Sequence, residues 1–387
     1  MRILVVGAGP VGLMFCSRLS QGGHDCVLIE QNRFDQTFSR ASTLQPATLE
    51  LLSELNCLAD LEPHGEIVSE VMAWNLDNGR IRRSSYRILS AYTDFPYRLH
   101  LHQSVLRERL ITELRRHACC YLVEQSQAVA VHFDRHDKSV SLDVKLHGVS
   151  GLTETFYGDY LILCDGAHSA LRQQLGLRFE GYDLPTPVVR LSTPMLPACL
   201  EEQLAGVSYL QAAKRSLSCL KMSDGWRFVL RPSLSEVHQA TENTFWARQC
   251  LADSFADLVP PCWWFSHPAK RDSYNVVQRY VSNRRVKRVF VLGDAAHATN
   301  TRGGLNMNFG LLEAYSLASC FLSDAGIDVL ERWNVLWSRL TYSVLMERTA
   351  QLISGRTPHF LNPKNDELDS LMRSCLLDLL PHTYLSS

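Results

Sequence analysis

The chain has 387 residues, with 39 basic and 40 acidic side chains and 46% hydrophobic residues. This length suits two domains or one large one, and the near-neutral charge argues against a protein dedicated to nucleic acids or acidic surfaces. The twelve cysteines contain no CxxC pair, so we expect buried free thiols and a reducing cytoplasm rather than a disulfide framework or a metal site. No apolar run reaches the roughly 18 residues that a membrane-spanning helix needs.

The N-terminal half alternates short apolar runs with segments of helical periodicity. Alternation around Asp77-Asn78-Gly79 is typical of a hairpin. The predicted elements are strands over 2–6 and 26–29, helices over 11–21 and 47–59, a hairpin within 67–90 and a helix over 103–116.

The C-terminal half continues with strands through 120–147 and over 159–164, 188–192 and 226–230, helices over 170–175 and 244–257, a last strand over 288–292 and a helix beginning near Met307. Buried strands and helices thus occupy 1–66, 101–182 and 281–350, and more antiparallel-looking segments, 67–100 and 183–280, interrupt them. Residues 351–387 form a C-terminal helical segment, whose apolar part we expect to pack on the core. This division predicts a dinucleotide-binding α/β domain with a second sheet inserted into it.

The first strand leads directly into Gly7-Ala8-Gly9-Pro10-Val11-Gly12, a GxGxxG motif that opens a helix. Gly7 permits the tight turn, Gly9 allows the backbone to approach a pyrophosphate, and Gly12 allows close helix–sheet packing. The helix N-terminus favours phosphate. Glu30 ends the second strand, where an acid accepts ribose hydroxyls and disfavours a 2′-phosphate. The motif predicts an FAD or NAD site.

Two further strand–loop–helix junctions follow. Residues 164–172, CDGAHSALR, place Asp165-Gly166 in a turn and Ser169 where it can cap a helix. Residues 293–310, GDAAHATNTRGGLNMNFG, place Asp294 just beyond a buried strand, where a carboxylate can hold polyol hydroxyls. Gly303-Gly304 brings the backbone close to a ligand, and the helix from Met307 directs its dipole at it.

The order and spacing of these three motifs resemble the class A FAD-dependent monooxygenases, the aromatic hydroxylases of the para-hydroxybenzoate hydroxylase fold. Arg40 within SRASTLQPATLELL and Gln103 at the start of a helix also match. The resemblance implies a Rossmann-like FAD-binding domain with an inserted, mostly antiparallel β-sheet substrate domain. It covers over half of the chain and does not reach residue level in 67–100 or 183–280.

The resemblance also implies an activity. The cofactor would be FAD, NADPH or NADH the co-substrate, and O2 would pass through a flavin C4a-hydroperoxide to an electron-rich small molecule. No nucleic acid partner is expected, and the chain would be a monomer or homodimer. The cofactor-binding residues would be Gly7, Gly9, Pro10, Val11, Gly12, Glu30, Arg40, Gln103, Asp165, Asp294, Gly304, Met307 and Asn308.

The substrate side is less defined by sequence. If the run YRLHLH is a strand, Arg98, His100 and His102 share one face. For each candidate the alternative is an ordinary strand side chain, and His297 is interpreted as a structural part of its loop. The polar candidates are Tyr97, Arg98, His100, His102, Arg190, Tyr209 and Tyr280, of which Arg98, His100 and Tyr209 are weak catalytic candidates.

The third motif departs from the family's pattern, with Thr301 in place of a proline, Asn306 in place of a glycine and Glu313 in place of an aspartate. Asn tolerates positive φ, so we expect Asn306 to keep the glycine geometry, whereas Thr301 loses proline's fixed φ. These departures leave open an FAD binder without oxygenation. A flavin-dependent oxidase or epoxidase is a further alternative, and the WxWxIP tract of related halogenases is absent.

Overall fold

The computed structural model describes residues 1–35, 42–147, 151–212, 216–323 and 326–353. Its strands are β1 (Arg2–Val6), β2 (Asp25–Ile29), β3 (Thr43–Leu44), β4 (Glu66–Val68), β5 (Glu70–Asn75), β6 (Ile81–Ser85), β7 (Arg98–His100), β8 (Cys120–Val123), β9 (Ser126–Phe133), β10 (Val140–Leu146), β11 (Thr153–Gly158), β12 (Tyr160–Leu163), β13 (Glu180–Asp183), β14 (Val188–Thr193), β15 (Val207–Gln211), β16 (Ser216–Met222), β17 (Gly225–Leu230), β18 (Lys270–Tyr274), β19 (Val277–Tyr280), β20 (Arg285–Val286), β21 (Val289–Val291) and β22 (His297–Ala298).

The helices are α1 (Pro10–Gln21), α2 (Pro46–Glu54), α3 (Leu58–Leu61), α4 (Gln103–Leu114), α5 (Ala170–Gln174), α6 (Ala198–Glu201), α7 (Val237–Glu242), α8 (Thr244–Ser254), α9 (Pro261–Ser266), α10 (Leu305–Leu322), α11 (Ile327–Leu340) and α12 (Glu347–Ile353). A π-helical turn, Thr341–Met346, joins α11 to α12. None of the described helices combines the length and apolar character that a membrane crossing needs.

A six-stranded sheet, ordered β20-β21-β12-β1-β2-β8, forms the first layer. Its strands are parallel except for β20. In β1, Ile3 and Val5 pack in the core shared with α1, α4 and α10, whereas Leu4 and Val6 pack against the β9–β11 sheet. Burial on both faces explains why β1 is a continuous apolar run.

A seven-stranded sheet, ordered β18-β14-β17-β16-β15-β5-β6, forms a separate layer. Only β15 and β5 are parallel neighbours, and Gly79 turns the β5–β6 hairpin with φ of +68°. Along β17, Trp226, Phe228 and Leu230 share a core with α8 and α9. The other face of this sheet is therefore free of those helices. The two layers confirm the predicted α/β class with a second, mostly antiparallel sheet.

Some predicted boundaries are wrong. The helix expected over 47–59 ends at Glu54, because Asn56 has φ of +56°, which no α-helix accommodates. The strand near 289 is not the last, since β22 follows it and pairs with β19. The strand in YRLHLH ends at His100, because His102 already precedes α4. Residues 354–387, and with them most of the predicted C-terminal segment, lie outside the described residues.

Candidate active site

The turn between β1 and α1 is the first of three strand-to-helix junctions at the carboxyl edge of the six-stranded sheet. A Cβ on Gly7 would lie 2.4 Å from the Cys164 carbonyl oxygen, and one on Gly12 would lie 2.1 Å from the Gly7 carbonyl oxygen. A Cβ on Gly9 would meet nothing within 4 Å, and no described side chain caps α1, which begins at Pro10 and Val11. Packing therefore requires Gly7 and Gly12, whereas Gly9 borders open space before an uncapped helix N-terminus, as a phosphate site needs.

Glu30 lies immediately beyond β2, beside this turn. Its Oε2 accepts a hydrogen bond from the Ala8 N–H at 2.8 Å, and its Oε1 accepts one from the Asn32 N–H at 2.9 Å. The side chain is buried, and Oε1 also accepts from the Asn32 Nδ2–H at 3.1 Å, so the second lone pair that is left belongs to Oε2. Glu30 thus supports the glycine turn and keeps acceptor capacity for ligand hydroxyls.

Arg107 is a residue of this junction that the sequence reasoning missed. Its Nε donates to the Ala8 carbonyl oxygen at 2.9 Å. Burial lowers the pKa of Arg107, and the Glu30 carboxylate opposes that shift. Gln103, the first residue of α4, lies one turn before it. Arg107 is four residues after Gln103 on a predicted helix, so the two side chains were expected on the same helix face, and this spacing could have identified Arg107.

The second junction places Asp165 two residues beyond β12. Its Oδ1 is buried and has no hydrogen-bond partner among the described residues. Burial raises the pKa of Asp165, and the Ser169 hydroxyl and Arg172 oppose that shift. A buried carboxylate oxygen without a partner is unusual in folded proteins and is satisfied when a ligand supplies a donor.

Arg172, inside the same motif, joins the second junction to the third. Its Nη1 donates to the Ala295 carbonyl oxygen at 3.0 Å and its Nη2 to the Ala167 carbonyl oxygen at 2.9 Å. Its guanidinium lies 4.0 Å from the Phe179 ring centroid. Ser169 caps α5 as predicted, since its hydroxyl accepts from the Arg172 N–H at 3.0 Å. The sequence reasoning gave this arginine no role.

The third junction holds Asp294 through a chain of side chains. Asn306 donates its Nδ2–H to Asp294 Oδ1 at 2.8 Å, and its Oδ1 lies 2.8 Å from His297 Nδ1. The other ring nitrogen of His297, Nε2, lies 3.1 Å from Glu313 Oε1. His297 is fully buried, which agrees with its interpretation as a structural residue.

Glu313 ends this chain as a buried anion with several partners. It accepts a hydrogen bond from the Gly293 N–H and forms an ion pair with Arg284, both side chains being completely buried. Burial alone would raise the pKa of Glu313, but Arg284 and His297 lower it below its ordinary value. Arg284 also donates to the Thr341 hydroxyl, so the network links the loop to the C-terminal helices.

The remainder of the loop wraps the start of α10. Gly303 and Gly304 have φ of +82° and +65°, and no described side chain caps α10. Asn308 is buried and accepts hydrogen bonds from the Gln45 N–H at 2.9 Å and the Thr48 hydroxyl at 2.7 Å. Met307 is half-buried in the first turn. These hydrogen bonds hold the first turn of α10 in place, and its backbone amides have no side-chain cap among the described residues.

The expectation for Asn306 is wrong. Asn306 is not among the described residues with positive φ and lies within the first turn of α10. Its side chain is used instead, as the link between Asp294 and His297. Thr301 has φ of −84°, near the value that proline imposes, and its hydroxyl accepts from the Tyr274 O–H at 3.1 Å. That bond ties the loop to β18.

Two of the polar candidates in YRLHLH form an interior pair. Arg98 and His100 are buried, with Arg98 5.1 Å from the Tyr86 ring and His100 Nδ1 2.7 Å from the Lys221 carbonyl oxygen. His102 lies beyond the strand, where its Nε2 is 3.0 Å from Asp224. The expected shared face of three residues therefore reduces to Arg98 and His100. Tyr97 donates to Glu62, beside α3.

The other candidates are dispersed. Arg190 forms a bidentate pair with Asp272, both distances being 2.6 Å. Tyr280 lies on β19 with its ring 5.8 Å from that of Tyr342. Tyr209 is half-buried on β15, paired in register with Ser218. Arg40 lies outside the described residues.

A model of the FAD binding domain family matches residues 1–326. Para-nitrophenol 4-monooxygenase from Pseudomonas sp. (strain WBC-3) is 27% identical over 331 residues, which cover 83% of this chain and 77% of that protein. The 6-hydroxy-3-succinoylpyridine 3-monooxygenase of Pseudomonas putida (strain DSM 28022 / S16) is 28% identical over 336 residues, which cover 82% of this chain and 78% of that protein.

Solved structures agree in fold. A p-nitrophenol 4-monooxygenase from Pseudomonas putida DLL-E4 superposes with a TM-score of 0.79 at 22% identity, covering 97% of this chain and 96% of that one. Aklavinone-11 hydroxylase with FAD and aklavinone gives 0.73 at 20% identity, covering 93% and 70%. These likenesses confirm the predicted para-hydroxybenzoate hydroxylase fold. Because the family model covers most of its length, the chain belongs to the FAD-binding family of class A FAD-dependent monooxygenases.

Proposed function

We propose that this protein hydroxylates a small aromatic or similarly electron-rich molecule, with FAD as cofactor and NADPH or NADH as co-substrate. The observation that carries this proposal is that three features suited to a ligand lie together. Open space at Gly9, the unpartnered Oδ1 of Asp165 and the uncapped start of α10 all occur where the three strand-to-helix junctions of the described chain meet. The two Pseudomonas relatives act on nitrophenol and on a hydroxypyridine, which supports an aromatic substrate.

The residues at this edge fit FAD. The glycine turn with Pro10 and Val11 would hold the pyrophosphate and Glu30 the ribose, because an uncapped helix and a buried acceptor suit those groups. Arg40, Gln103 and Asp165 are the further candidates in the first two junctions and α4. In the third junction, Asp294 would accept hydroxyls of the ribityl chain, and Gly304, Met307 and Asn308 would place their backbone at the ring.

FAD, when bound, supplies the chemistry that takes a hydride from NADPH or NADH and activates O2. The chain's own part is to bind, orient and exclude water. The N-terminus of α10 stabilises negative charge placed before it. Asn306 fixes the Asp294 carboxylate, and His297 in turn holds the Asn306 side chain.

We further propose that residues 1–66, 101–182 and 281–350 act as the FAD-binding unit and 67–100 with 183–280 as the substrate unit. The sharing of one sheet by β5, β6 and β14–β18 supports this division. A cytoplasmic location is also proposed, supported by the cysteines of the described residues, all of which are free thiols.

The test begins with the visible spectrum of the purified protein, which should show bound flavin. Phenols and hydroxylated heteroaromatics are then screened for stimulated NADPH or NADH oxidation, for O2 uptake and for a product that has gained one oxygen atom. Protein stripped of FAD and then reconstituted with it is the control, and it should recover the stimulated rate.

Bound FAD without any substrate-stimulated NAD(P)H oxidation would contradict the proposal and leave an FAD binder without oxygenation. The departures at Thr301 and Asn306 motivate that alternative. Both side chains make hydrogen bonds that hold the loop in place, which supports a functional loop rather than a degenerate one.

A further inference from the structure

Three cysteine side chains meet on the face of the six-stranded sheet that packs against α1 and α4. Cys16 lies on α1, Cys26 is the second residue of β2, and Cys120 is the first residue of β8. All three belong to the apolar core on that face. Cys26 and Cys120 lie at the amino-terminal ends of their strands, whereas Glu30 follows the carboxyl end of β2. The cluster is therefore separate from the candidate FAD site.

The sulfur atoms of this thiol cluster are close enough to react with one another. Cys16 Sγ and Cys26 Sγ lie 3.0 Å apart, and the Cys120 sulfur is hydrogen-bonded to both thiols. Strands β2 and β8 are parallel neighbours whose register pairs Cys26 directly with Cys120. Neighbouring strands are about 4.8 Å apart, which lies within the range of about 4.4–6.8 Å that a disulfide needs between its Cα atoms. Cys26 and Cys120 can therefore be joined without separating the strands.

Only one thiol of the cluster is open to solvent. Cys16 and Cys26 are completely buried, whereas Cys120 is partly exposed on β8, the edge strand of the sheet. A small dissolved oxidant therefore reaches Cys120 first and finds two buried thiols behind it. Among the described residues, no group of His, Cys, Asp or Glu is arranged to hold a metal ion. The arrangement thus favours thiol oxidation over metal binding.

The surroundings of the three thiols also distribute their protons unequally. Hydrogen bonds from Cys16 and then from Cys26 hold the pKa of Cys120 well below its usual range, and burial opposes that shift. Burial raises the pKa of Cys16, and the hydrogen bond to Cys120 raises the pKa of Cys26. The cluster therefore presents one thiolate, on the exposed member, with two thiols as hydrogen-bond donors. The thiolate is the form of cysteine that attacks a peroxide.

We propose that Cys120 is a site of oxidation by hydrogen peroxide and that Cys26 traps the oxidised sulfur as a reversible Cys26–Cys120 disulfide. In the first step the Cys120 thiolate attacks a peroxide oxygen, the O–O bond breaks, and the departing hydroxide takes a proton from solvent, which leaves a sulfenic acid and water. In the second step the Cys26 sulfur attacks the Cys120 sulfur, the S–O bond breaks, and the departing hydroxide takes the Cys26 proton. Two thiols are oxidised while one peroxide is reduced to two waters.

The trapping thiol limits how far oxidation proceeds, because a sulfenic acid without a partner goes on to an irreversible sulfinic acid. Cys119, the residue before Cys120, provides the comparison. It is also a half-buried free thiol, but it donates to the Ser20 carbonyl oxygen at 3.7 Å. A transient disulfide of this kind is compatible with a reducing compartment, where protein disulfides are usually catalytic or redox-sensing.

Peptide mapping of the oxidised wild type tests the proposal without any substitution. The full-length protein, saturated with FAD and reduced beforehand, is treated with hydrogen peroxide in the absence of NADPH and NADH. Remaining thiols are blocked with N-ethylmaleimide, and non-reduced peptides are identified by mass spectrometry. At one equivalent of peroxide, about two thiols per chain should disappear, as the two-step reaction requires. The peptides of Cys26 and Cys120 should be joined, and dithiothreitol should restore both thiols.

Four variants separate the roles of the thiols, and retained FAD binding checks that each is folded. Cys120→Ser should lower the thiol loss at least about fivefold, because the exposed thiolate is gone. Cys16→Ala should still form the Cys26–Cys120 bond. Cys16→Ala/Cys26→Ala should leave Cys120 as a sulfenic acid that dimedone labels, since no contacting thiol remains to trap it. Cys119→Ser is the matched control and should form the same disulfide as the wild type.

Three results would each overturn the proposal. They are no Cys26–Cys120 disulfide in the wild type, a bond from Cys120 to Cys16 or Cys119 in its place, and an unchanged thiol loss in Cys120→Ser. Peroxide is added from outside and no aromatic molecule is present, so the test does not depend on the proposed hydroxylation. Its failure would leave that function standing, and a protein without hydroxylation activity could still form the disulfide.

Discussion

His100 shows how strongly the surroundings of a single residue control its protonation. Its side chain is fully buried, and Nδ1 lies 2.7 Å from the Lys221 carbonyl oxygen, which can only accept. Nδ1 therefore carries the ring proton, and the buried Nε2 has no hydrogen-bond partner among the described residues. Burial, followed by the smaller effects of Arg98 and Arg227, lowers the pKa of His100 to about 4, and the hydrogen bond to the Lys221 carbonyl opposes this shift.

This pKa gives a stability prediction with a defined sign. The pKa of His100 is about 4 in the folded chain and about 6.5 in the unfolded chain. Between these two pKa values the unfolded chain binds a proton that the folded chain does not. The stability that neutral His100 contributes is therefore complete above a pH of about 6.5 and is lost as the pH falls towards about 4. The free energy of unfolding of the wild type, relative to His100→Asn, should fall by up to about 3 kcal/mol.

The measurement is denaturant unfolding of both proteins at several pH values between neutral and mildly acidic. Asn keeps a donor for the Lys221 carbonyl but does not titrate, so the difference between the two curves isolates His100. Parallel curves for wild type and variant would contradict a neutral, buried imidazole.

At the scale of elements, the β1–α1 junction separates two uses of glycine. Gly12 is required because helix and turn are in contact, since a Cβ at this position would approach the Gly7 carbonyl oxygen to 2.1 Å. Gly9 has no such neighbour. The same sequence motif therefore contains one position fixed by the fold and one position kept open for a ligand.

Alanine substitutions should distinguish these two positions. Gly12→Ala should lower the free energy of unfolding of the protein without FAD by about 3 kcal/mol or more, because backbone must move to accommodate the methyl group. Gly9→Ala should change that free energy by less than about 1 kcal/mol and yet weaken FAD binding about tenfold or more, because the methyl group occupies the approach to the pyrophosphate. Chemical denaturation of apoprotein and FAD titration measure the two effects, and equal behaviour of the variants would refute the distinction.

The stability of helix α10 depends on the ion pair between Glu313 and Arg284. Both side chains are completely buried, and Glu313 also accepts from the Gly293 N–H. Removing one partner of such a pair leaves a buried charge, so Glu313→Gln should lower the free energy of unfolding by about 3–5 kcal/mol.

The double variant Glu313→Gln/Arg284→Met is the control for this effect. It should be less destabilised than the sum of the two single variants by about 1–3 kcal/mol, because it removes both charges together. Additive effects in thermal or denaturant unfolding would show that the pair is not energetically coupled.

On the scale of the whole molecule, the candidate FAD site joins segments that are distant in the chain. Gly9, Asp165 and Asp294 follow three different strands, and Arg172 and Arg284 connect the later segments to one another. A ligand that contacts all three junctions therefore binds only the folded chain, which links cofactor occupancy to global stability.

Adding FAD to apoprotein should raise the unfolding temperature in a concentration-dependent manner. At a free FAD concentration of about 100 times its Kd, the stabilisation should reach about 2.7 kcal/mol. FMN, which lacks the adenosine part and cannot use the β1–α1 junction, should stabilise much less at the same concentration. Thermal unfolding followed by circular dichroism makes the comparison, and equal shifts with FMN and FAD would contradict a site that spans all three junctions.

Much of the architecture was predictable because its signals are local. The turn at Gly7 and the helix after it follow from backbone sterics and apolar periodicity over a few residues, and both the parallel strands and the hairpin at Gly79 lie where the pattern indicated. The wrong predictions concern residues whose backbone conformation differs from the one that the local pattern indicated. The helix expected to continue to residue 59 stops because Asn56 adopts positive φ. Asn306 lies in the first turn of α10, and its side chain bonds Asp294 and His297.

The sequence by itself determined the three strand-to-helix junctions and their order, because glycine geometry and periodicity are properties of short segments. FAD rather than NAD was implied only by the resemblance of that order to the class A FAD-dependent monooxygenases. Only the tertiary structure decided that Asp165 has a buried oxygen without a partner among the described residues, that Glu313 meets Arg284, and that Cys120 pairs with Cys26. These are properties of burial and of side chains brought together from distant segments. They depend on how strands, helices and loops pack in the six-stranded layer, and no local pattern encodes those contacts.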